Sequence, residues 1–248
     1  MTVNTGPDIT ETNLILSYDA MNPRSYPGTG SVWFDVTGNG NHGSINLGEY
    51  NSGGWLQNTG NVSDFFYIIT PNSSSLFNAF STTTGGWTIE ESVYTYSTNY
   101  PEADAGTVIS DNAYSPGATG FDWQHGVGVT QFQMVMGSNS SGSYEDSATF
   151  TVPSPYNQNN VWRLRTMVWN RGSNTFTFYI NGNLVGSASI PNTAGTSVYD
   201  GGGCSWGTLY GWKFFGRRST IKVYNAALTA AQVSTNWNAW QGRYGVMI

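Results

Sequence analysis

The chain has 248 residues, of which 10% are charged and 15% aromatic, with 10 Trp and 15 Tyr among them. This length suits one large all-β domain, and so many bulky apolar side chains exclude a disordered chain. The formal net charge of −6 and the pI near 4.7 argue against nucleic acid and against an anionic membrane, because both partners require clustered Lys and Arg.

Cysteine content and hydropathy exclude further classes of protein. The single cysteine, Cys204, excludes an intrachain disulfide framework and is expected to be a small, partly buried hydrophobe. No run approaches the roughly 20 apolar residues of a spanning helix, so membrane insertion is not expected. Residues 1–12 lack the basic and apolar regions of a secretory signal. We therefore expect a protein made in the cytoplasm that leaves the cell by another route, such as lysis.

In chain order, residues 1–12 are predicted to form an extended arm and residues 13–248 a single domain. Short apolar segments separated by turn-rich stretches follow, which is the spacing expected of a sandwich. Alternation of polar and apolar residues predicts strands at Thr88–Tyr94, Phe132–Met136 and Trp162–Trp169. The last of these should carry two faces: Trp162, Leu164, Thr166 and Val168 on one, and Arg163, Arg165 and Met167 on the other.

A hairpin and a helix are predicted near the C-terminal end. The dipeptide Asn181-Gly182 separates two strand-like segments and favours a two-residue type I′ turn, because both residues tolerate positive φ. Residues 229–240 are predicted to be helical, with Thr229 as N-cap. Val233, Trp237 and Trp240 would form one apolar stripe, and we expect this helix to seal one end of the sandwich.

Three stretches resemble a known family. They are the opening block that contains Leu16-Ser17-Tyr18-Asp19-Ala20 and Asp35-Val36-Thr37-Gly38-Asn39-Gly40-Asn41, the segment Trp162–Gly186, and the closing segment Gly216–Gly245. Together they resemble the laminin-G-like, concanavalin-A-like jelly-roll superfamily, in particular the single-domain versions in bacteriophage virion proteins. The resemblance implies an all-β, two-sheet antiparallel jelly-roll sandwich with one short C-terminal helix. Lectins, glucanases and virion proteins share this fold, so function must be argued from sites.

The acidic residues do not predict a catalytic pair, and no catalytic residue is expected. Glucanases of the resembled fold place their carboxylates two residues apart on a strand, whereas Glu90 and Glu91 are adjacent and should point to opposite faces. Glu102 and Asp104 have suitable spacing but lie in a predicted turn. Glu91 should face inward, where a carboxylate needs a partner, and Arg163 and Arg165 are the candidates. A glycoside hydrolase remains a weaker alternative.

Two segments combine the aromatic and polar residues that sugar recognition requires. The first contains three consecutive glycines and offers Asp200, Trp206 and Tyr210; the second offers Asp122 and Trp123. The alternative for both is that the Trp rings pack into the sandwich and the glycines serve tight turns. Host-surface glycans are therefore a predicted partner, and the sequence does not indicate which sugar is bound.

One tight loop offers oxygen ligands of the type that calcium prefers. Asp35, Asn39 and Asn41 lie within it, and Asp19 is predicted to lie near. Asx-turns, in which Asp or Asn side chains bind their own backbone, explain the same residues without an ion. No other cofactor is expected.

The residues and the resemblance together favour a non-enzymatic bacteriophage virion structural protein, either a capsid decoration or a fibre-type protein. Its partners would be other virion proteins, contacted through the arm and an aromatic-rich face, and it would be oligomeric on the virion surface. Exposed loops would contact host glycans. The alternative from another class is a lectin whose main task is sugar recognition.

Overall fold

The computed structural model describes residues 9–58, 67–71, 73–81, 85–96, 107–109, 121–125, 131–136, 146–190, 204–209 and 212–243. These residues form eighteen strands and two helices. The helices are α1 (Ser74–Ser81) and α2 (Ala230–Trp240). The strands are β1 (Leu14–Asp19), β2 (Val32–Trp33), β3 (Gly43–Asn46), β4 (Gly48–Asn51), β5 (Trp55–Asn58), β6 (Tyr67–Thr70), β7 (Gly86–Thr95), β8 (Thr107–Ile109), β9 (Phe121–His125), β10 (Gln131–Met136), β11 (Asp146–Thr151), β12 (Trp162–Asn170), β13 (Thr175–Ile180), β14 (Asn183–Ser189), β15 (Cys204–Trp206), β16 (Thr208–Leu209), β17 (Trp212–Lys213) and β18 (Gly216–Tyr224).

Two antiparallel sheets contain all of these strands except the separate β16–β17 pair. Sheet A has the order β14-β13-β12-β7-β18-β5-β4, with β1 pairing the second half of β18. Sheet B has the order β11-β10-β9-β8-β15-β6-β3-β2. The two-sheet antiparallel jelly roll is therefore confirmed. Helix α1 is an addition to it, and its Leu76, Ala79 and Phe80 are buried at helical spacing.

The interior between the sheets is filled by apolar side chains from both. Phe132 of sheet B stacks on Phe178 of sheet A, with 4.0 Å between ring centroids. Cys204 of β15 belongs to the same core cluster, which confirms its predicted burial. Opposed inner faces that interdigitate in this way bury the apolar surface that stabilises the sandwich.

The central strands of sheet A are buried on both faces, because a second layer covers the side away from sheet B. On β12, Met167 lies in the core between the sheets, whereas Val168 belongs to a second apolar cluster with Val233 of α2. The predicted two faces of this strand are thus confirmed. Helix α2 does not seal an end of the sandwich as expected; it packs on the outer face of sheet A, at the end of β12 near Val168.

Both local predictions near the C-terminal end are confirmed. Asn181 and Gly182 have φ values of 53° and 74° and connect β13 to β14, as a type I′ turn requires. The Gly182 backbone lies against Trp237 of α2, so a Cβ there would come within 2.9 Å of that side chain. Thr229 caps α2 in a reciprocal capping box with Gln232.

A polar network fixes α2 to the outer face of sheet A. Lys222 Nζ lies 3.1 Å from Glu90 Oε1, and Asn236 Nδ2 donates to Glu90 Oε2 at 3.0 Å. Asn236 Oδ1 accepts the backbone N–H of Thr10, which attaches the end of the predicted arm to the helix. Burial lowers the pKa of Lys222, and Glu90 opposes that shift. The bounds of the arm and of the single domain stay predictions.

The Tyr18 hydroxyl is a buried polar link between the sheets. It donates to the Asn41 carbonyl at 2.5 Å and lies 2.8 Å from Thr70 Oγ1. Burial raises the pKa of this phenol above its ordinary value of 10.0. The folded protein therefore keeps a proton that the unfolded chain loses as the pH rises through that value.

We expect Tyr18→Phe to lower the free energy of unfolding by about 1–2 kcal/mol near neutral pH. Above pH 10.0 the advantage of the natural protein should shrink by about 1.4 kcal/mol per pH unit, because only its unfolded state ionises at this position. Urea unfolding of both proteins over that pH range measures the difference, and contributions of other titrating groups cancel in it. A difference that stayed constant with pH would contradict the burial of this hydroxyl.

Candidate functional site

A row of aromatic side chains lies on the outer face of sheet A, at the end of β12 opposite to α2. Alternation along the strands places it there: Leu56, Val93 and Arg163 are buried on the inner side, so Trp55, Tyr94 and Trp162 point outward. Tyr96 directly follows β7, and Phe215 directly precedes β18. We call these five residues, Trp55, Tyr94, Tyr96, Trp162 and Phe215, the aromatic row.

The rings of the aromatic row contact one another in sequence. Ring centroids are 5.7 Å apart for Trp55 and Trp162 and for Tyr94 and Trp162, 5.8 Å for Tyr94 and Tyr96, and 5.5 Å for Tyr96 and Phe215. All pairs are tilted or edge-to-face, the arrangements that aromatic quadrupoles favour. Four of the five side chains are only half-buried and Trp162 is buried, so the row presents ring surface to solvent.

Arg217 lies in the middle of the aromatic row. Its guanidinium carbon is 4.6 Å from the ring centroid of Tyr94, 5.0 Å from Trp55 and 5.5 Å from Tyr96. Its Nε donates to Tyr96 Oη at 3.1 Å. Cation–π contacts on this scale are favourable and hold the planar group in one place.

The row joins apolar ring surface to hydrogen-bonding groups, which is what a site for a polyhydroxylated ligand requires. Rings of Trp and Tyr cover the apolar face of such a ligand, and a few fixed polar groups orient it. Here the fixed groups are Arg217, the Tyr96 hydroxyl and Gln57, whose Oε1 accepts Trp55 Nε1–H at 3.0 Å.

The sequence contains a signal for this row, although none of the predicted sites includes it. Each of three short segments has two residues of the site at positions i and i+2. They are Trp55 with Gln57, Tyr94 with Tyr96, and Phe215 with Arg217. That spacing puts both side chains on one face of a strand. What the sequence does not reveal is that β5, β7 and β18 are neighbours in one sheet.

The prediction that Trp206 lines a sugar site at the surface is wrong. Trp206 has no exposed surface, lies in β15 between β6 and β8, and donates from Nε1 to Thr70 Oγ1 at 2.9 Å. Its ring packs in the core, the alternative that the sequence left open. Asp200 and Tyr210 lie outside the described residues. Asp122 and Trp123 lie in β9, where only the backbone is described.

The predicted calcium ligands fall into two separate networks. Asp35 Oδ1 accepts the backbone N–H groups of Ser17 and Thr37, and the side-chain amides of Asn39 and Asn41 both donate to the Ile15 carbonyl.

Asp19 instead pairs with Arg243, whose Nη2 lies 2.6 Å from Oδ1. Backbone hydrogen bonds, including an Asx-turn at Asp35, thus account for the loop. Calcium binding stays a prediction. The described residues include no cluster of three Asp, Glu, His or Cys side chains that could hold a metal ion.

Glu91 lies on the inner face and is fully buried, as predicted, between two arginines. Its Oε1 is 2.5 Å from Arg165 Nη2 and its Oε2 is 3.0 Å from Arg218 Nε. Arg165 is one of the two predicted partners, whereas Arg218 was not foreseen. Burial lowers the pKa of Arg218 to about 10, Glu91 opposes the shift and Arg165 adds to it.

The other candidate catalytic groups are not brought together in the described part of the chain. His42 is exposed, as expected, and its Nδ1 accepts the backbone N–H of Asp35. Glu102 and Asp104 lie outside the described residues, as does the side chain of His125. Among residues whose placement is described, neither helix is long and apolar enough to span a bilayer.

Comparison with known proteins gives a family and a set of structural neighbours. The family model described as the concanavalin A-like lectin/glucanase superfamily matches residues 70–234, about two thirds of the chain. No curated protein sequence matches.

Among solved structures, the binding domain of Paraclostridial Mosquitocidal Protein 1 aligns with a TM-score of 0.69 at 16% identity, over 92% of this chain and 52% of that one. The binding domain of botulinum neurotoxin DC in complex with SialylT aligns with a TM-score of 0.63 at 13% identity, over 92% and 52%. Trypanosoma rangeli sialidase in complex with sialic acid aligns with a TM-score of 0.59 at 13% identity, over 93% and 33%. The chain thus spans about half of the toxin binding domains and a third of the sialidase, and at these identities the likeness is one of fold.

Proposed function

The chain belongs to the concanavalin A-like lectin/glucanase superfamily, and we propose that it is a non-enzymatic carbohydrate-binding protein whose sugar site is the aromatic row. The observation that carries this proposal is a continuous row of half-buried Trp, Tyr and Phe rings around a fixed guanidinium. Structural neighbours that include toxin binding domains, one of them in complex with SialylT, support a binding role.

The absence of catalysis is part of the proposal and is supported by the position of Glu91. A general acid or nucleophile must reach the substrate. Glu91 is fully buried and engaged by Arg165 and Arg218, and its neighbour Glu90 is held by Lys222 on the opposite face. Each of these carboxylates thus has a structural partner.

Trp55→Ala is expected to abolish glycan binding. The substitution removes the ring at one end of the aromatic row and the contact that it makes with Arg217. A glycan array identifies ligands of the natural protein, and titration calorimetry then compares both proteins on the strongest one.

Phe34→Ala is the matched control for Trp55→Ala. Phe34 is also a partly exposed aromatic residue, but it follows β2 of sheet B and contacts His42, away from the row. Urea unfolding establishes that both variants are folded. Glycan binding that survives Trp55→Ala unchanged, or a natural protein that binds no glycan, would rule the site out.

We further propose that the protein is displayed on a bacteriophage virion surface, where it attaches to capsid or fibre subunits and is oligomeric. The low fraction of charged residues and the resemblance of the closing segment, Gly216–Gly245, to phage virion proteins support this placement. Electron microscopy of purified particles tests it, with labelled antibody against the protein. Particles that carry no label would contradict the virion role while leaving sugar binding open.

A further inference from the structure

Arg217 is a half-buried cation to which the described residues supply no carboxylate. None of the four ion pairs found among them includes Arg217. The buried arginines Arg165 of β12 and Arg218 of β18 differ in this respect, since both engage Glu91. The charge of Arg217 is instead stabilised by the faces of three rings.

The hydrogen-bonding capacity of Arg217 is mostly unused within the described structure. A guanidinium has five N–H donors, and among the described residues only the Nε–H of Arg217 has a protein acceptor, Tyr96 Oη. The two terminal nitrogens form the planar fork that matches both oxygens of a carboxylate. Because the side chain is held by the rings of the row, less conformational entropy is lost when a ligand binds.

We infer that the aromatic row selects acidic sugars, meaning glycans with a terminal residue that carries one carboxylate. The carboxylate pairs with the terminal nitrogens of Arg217 while the sugar ring packs on the neighbouring aromatic surface. This inference rests on the proposed function, because it names the ligand class of the same site.

An acidic residue two strands away from Arg217 limits the charge that the site accepts. Arg217 is paired across the sheet with Gln57, and Gln57 with Glu49, which is exposed. Two strand spacings place the Cα of Glu49 about 10 Å from that of Arg217. Its charge repels a second anionic group on that side, so a sugar with a single carboxylate suits the site better than a polyanionic polymer.

Matched sugars test this inference on the full chain. Titration calorimetry compares sialyllactose with lactose, and a glucuronate-terminated oligosaccharide with its glucose-terminated counterpart. We expect each acidic member to bind about tenfold to a hundredfold more tightly than its neutral partner, the range for hydrogen bonds to a charged group. Arg217→Gln should remove that preference, whereas Arg217→Lys should retain a part of it because the charge remains but the fork does not.

The outcomes separate the two proposals. Equal affinity of the natural protein for acidic and neutral members, or a preference that Arg217→Gln keeps, would overturn acidic selectivity through this residue. In that case Trp55→Ala must still abolish neutral binding if the aromatic row is the site. If the natural protein binds none of these sugars or any on the array, the proposed function fails and the inference fails with it.

Discussion

Glu91→Gln is expected to lower the free energy of unfolding by about 3–5 kcal/mol, the usual cost of removing one partner of a buried ion pair. The carboxylate lies between Arg165 and Arg218, and all three side chains are at most 1% exposed. Without its negative charge, two guanidinium groups would remain close together in a region that water does not reach. The lowered pKa of Arg218 has the same origin, since burial disfavours its charge and Arg165 repels it.

Urea is the denaturant of choice for this measurement, because it is uncharged and keeps the ionic strength constant along the denaturant series. Glu49→Gln is the matched control, since Glu49 is exposed in β4 and its replacement should change the unfolding free energy by no more than about 0.5 kcal/mol. If Glu91→Gln proved as stable as that control, the carboxylate would not be compensating buried positive charge. Hydrolysis of a β-glucan by the natural protein, lost in the variant, would instead revive the hydrolase alternative.

Trp206→Ala is expected to cost about 3–5 kcal/mol of unfolding free energy, as truncation of a fully buried large ring does. Strands β6 and β8 flank β15 on both sides, so the surrounding structure has little freedom to close the cavity. The hydrogen bond from Trp206 Nε1–H to Thr70 Oγ1 would also be lost, although the Tyr18 hydroxyl would still contact Thr70. Thermal or urea unfolding measures the effect.

Trp206→Phe is the matched control, because it keeps an aromatic ring and removes only part of the volume and the hydrogen bond. We expect a smaller loss for it, and we expect both variants to retain glycan affinity at temperatures at which they are folded. A variant with natural stability and no glycan binding would restore the role first predicted for Trp206, that of a surface sugar contact.

Local chemistry made single elements predictable, whereas the two-sheet jelly roll was predicted from the resemblance of three segments to a known family. Asn181-Gly182 determines its turn through backbone preferences alone, and Thr229 with Gln232 determines the start of α2. Helix α1 escaped prediction because Ser74–Ser81 is short and rich in Ser and Asn, which have weak helix propensity. The outer-face position of α2 depends on packing against Val168 and Tyr224, and no local pattern encodes it.

The candidate site was much less predictable, for a physical reason. Glycine-rich context suggested that Trp206 lines a pocket, but a Trp next to glycines is equally compatible with a core strand, and burial decides between the two. The aromatic row draws on residues from 55 to 215, and its existence depends on which distant strands are neighbours. Arg165 could be predicted as a partner of Glu91, whereas Arg218 follows only from the pairing of β18 with β7.

The adjacent glutamates of β7 also bear on folding fidelity. Glu91 finds its cations between the sheets and Glu90 finds Lys222 beneath α2, so one strand has an electrostatic anchor on each side. Mispairing of β7 by two residues would keep apolar side chains on their proper side of the sheet. On β18 it would place Thr220 or Tyr224 opposite Glu90 in place of Lys222, and on β12, in one direction, it would place Met167 opposite Glu91 in place of Arg165. The native alignment of the three central strands is thereby distinguished from shifted ones that hydrophobicity alone would tolerate.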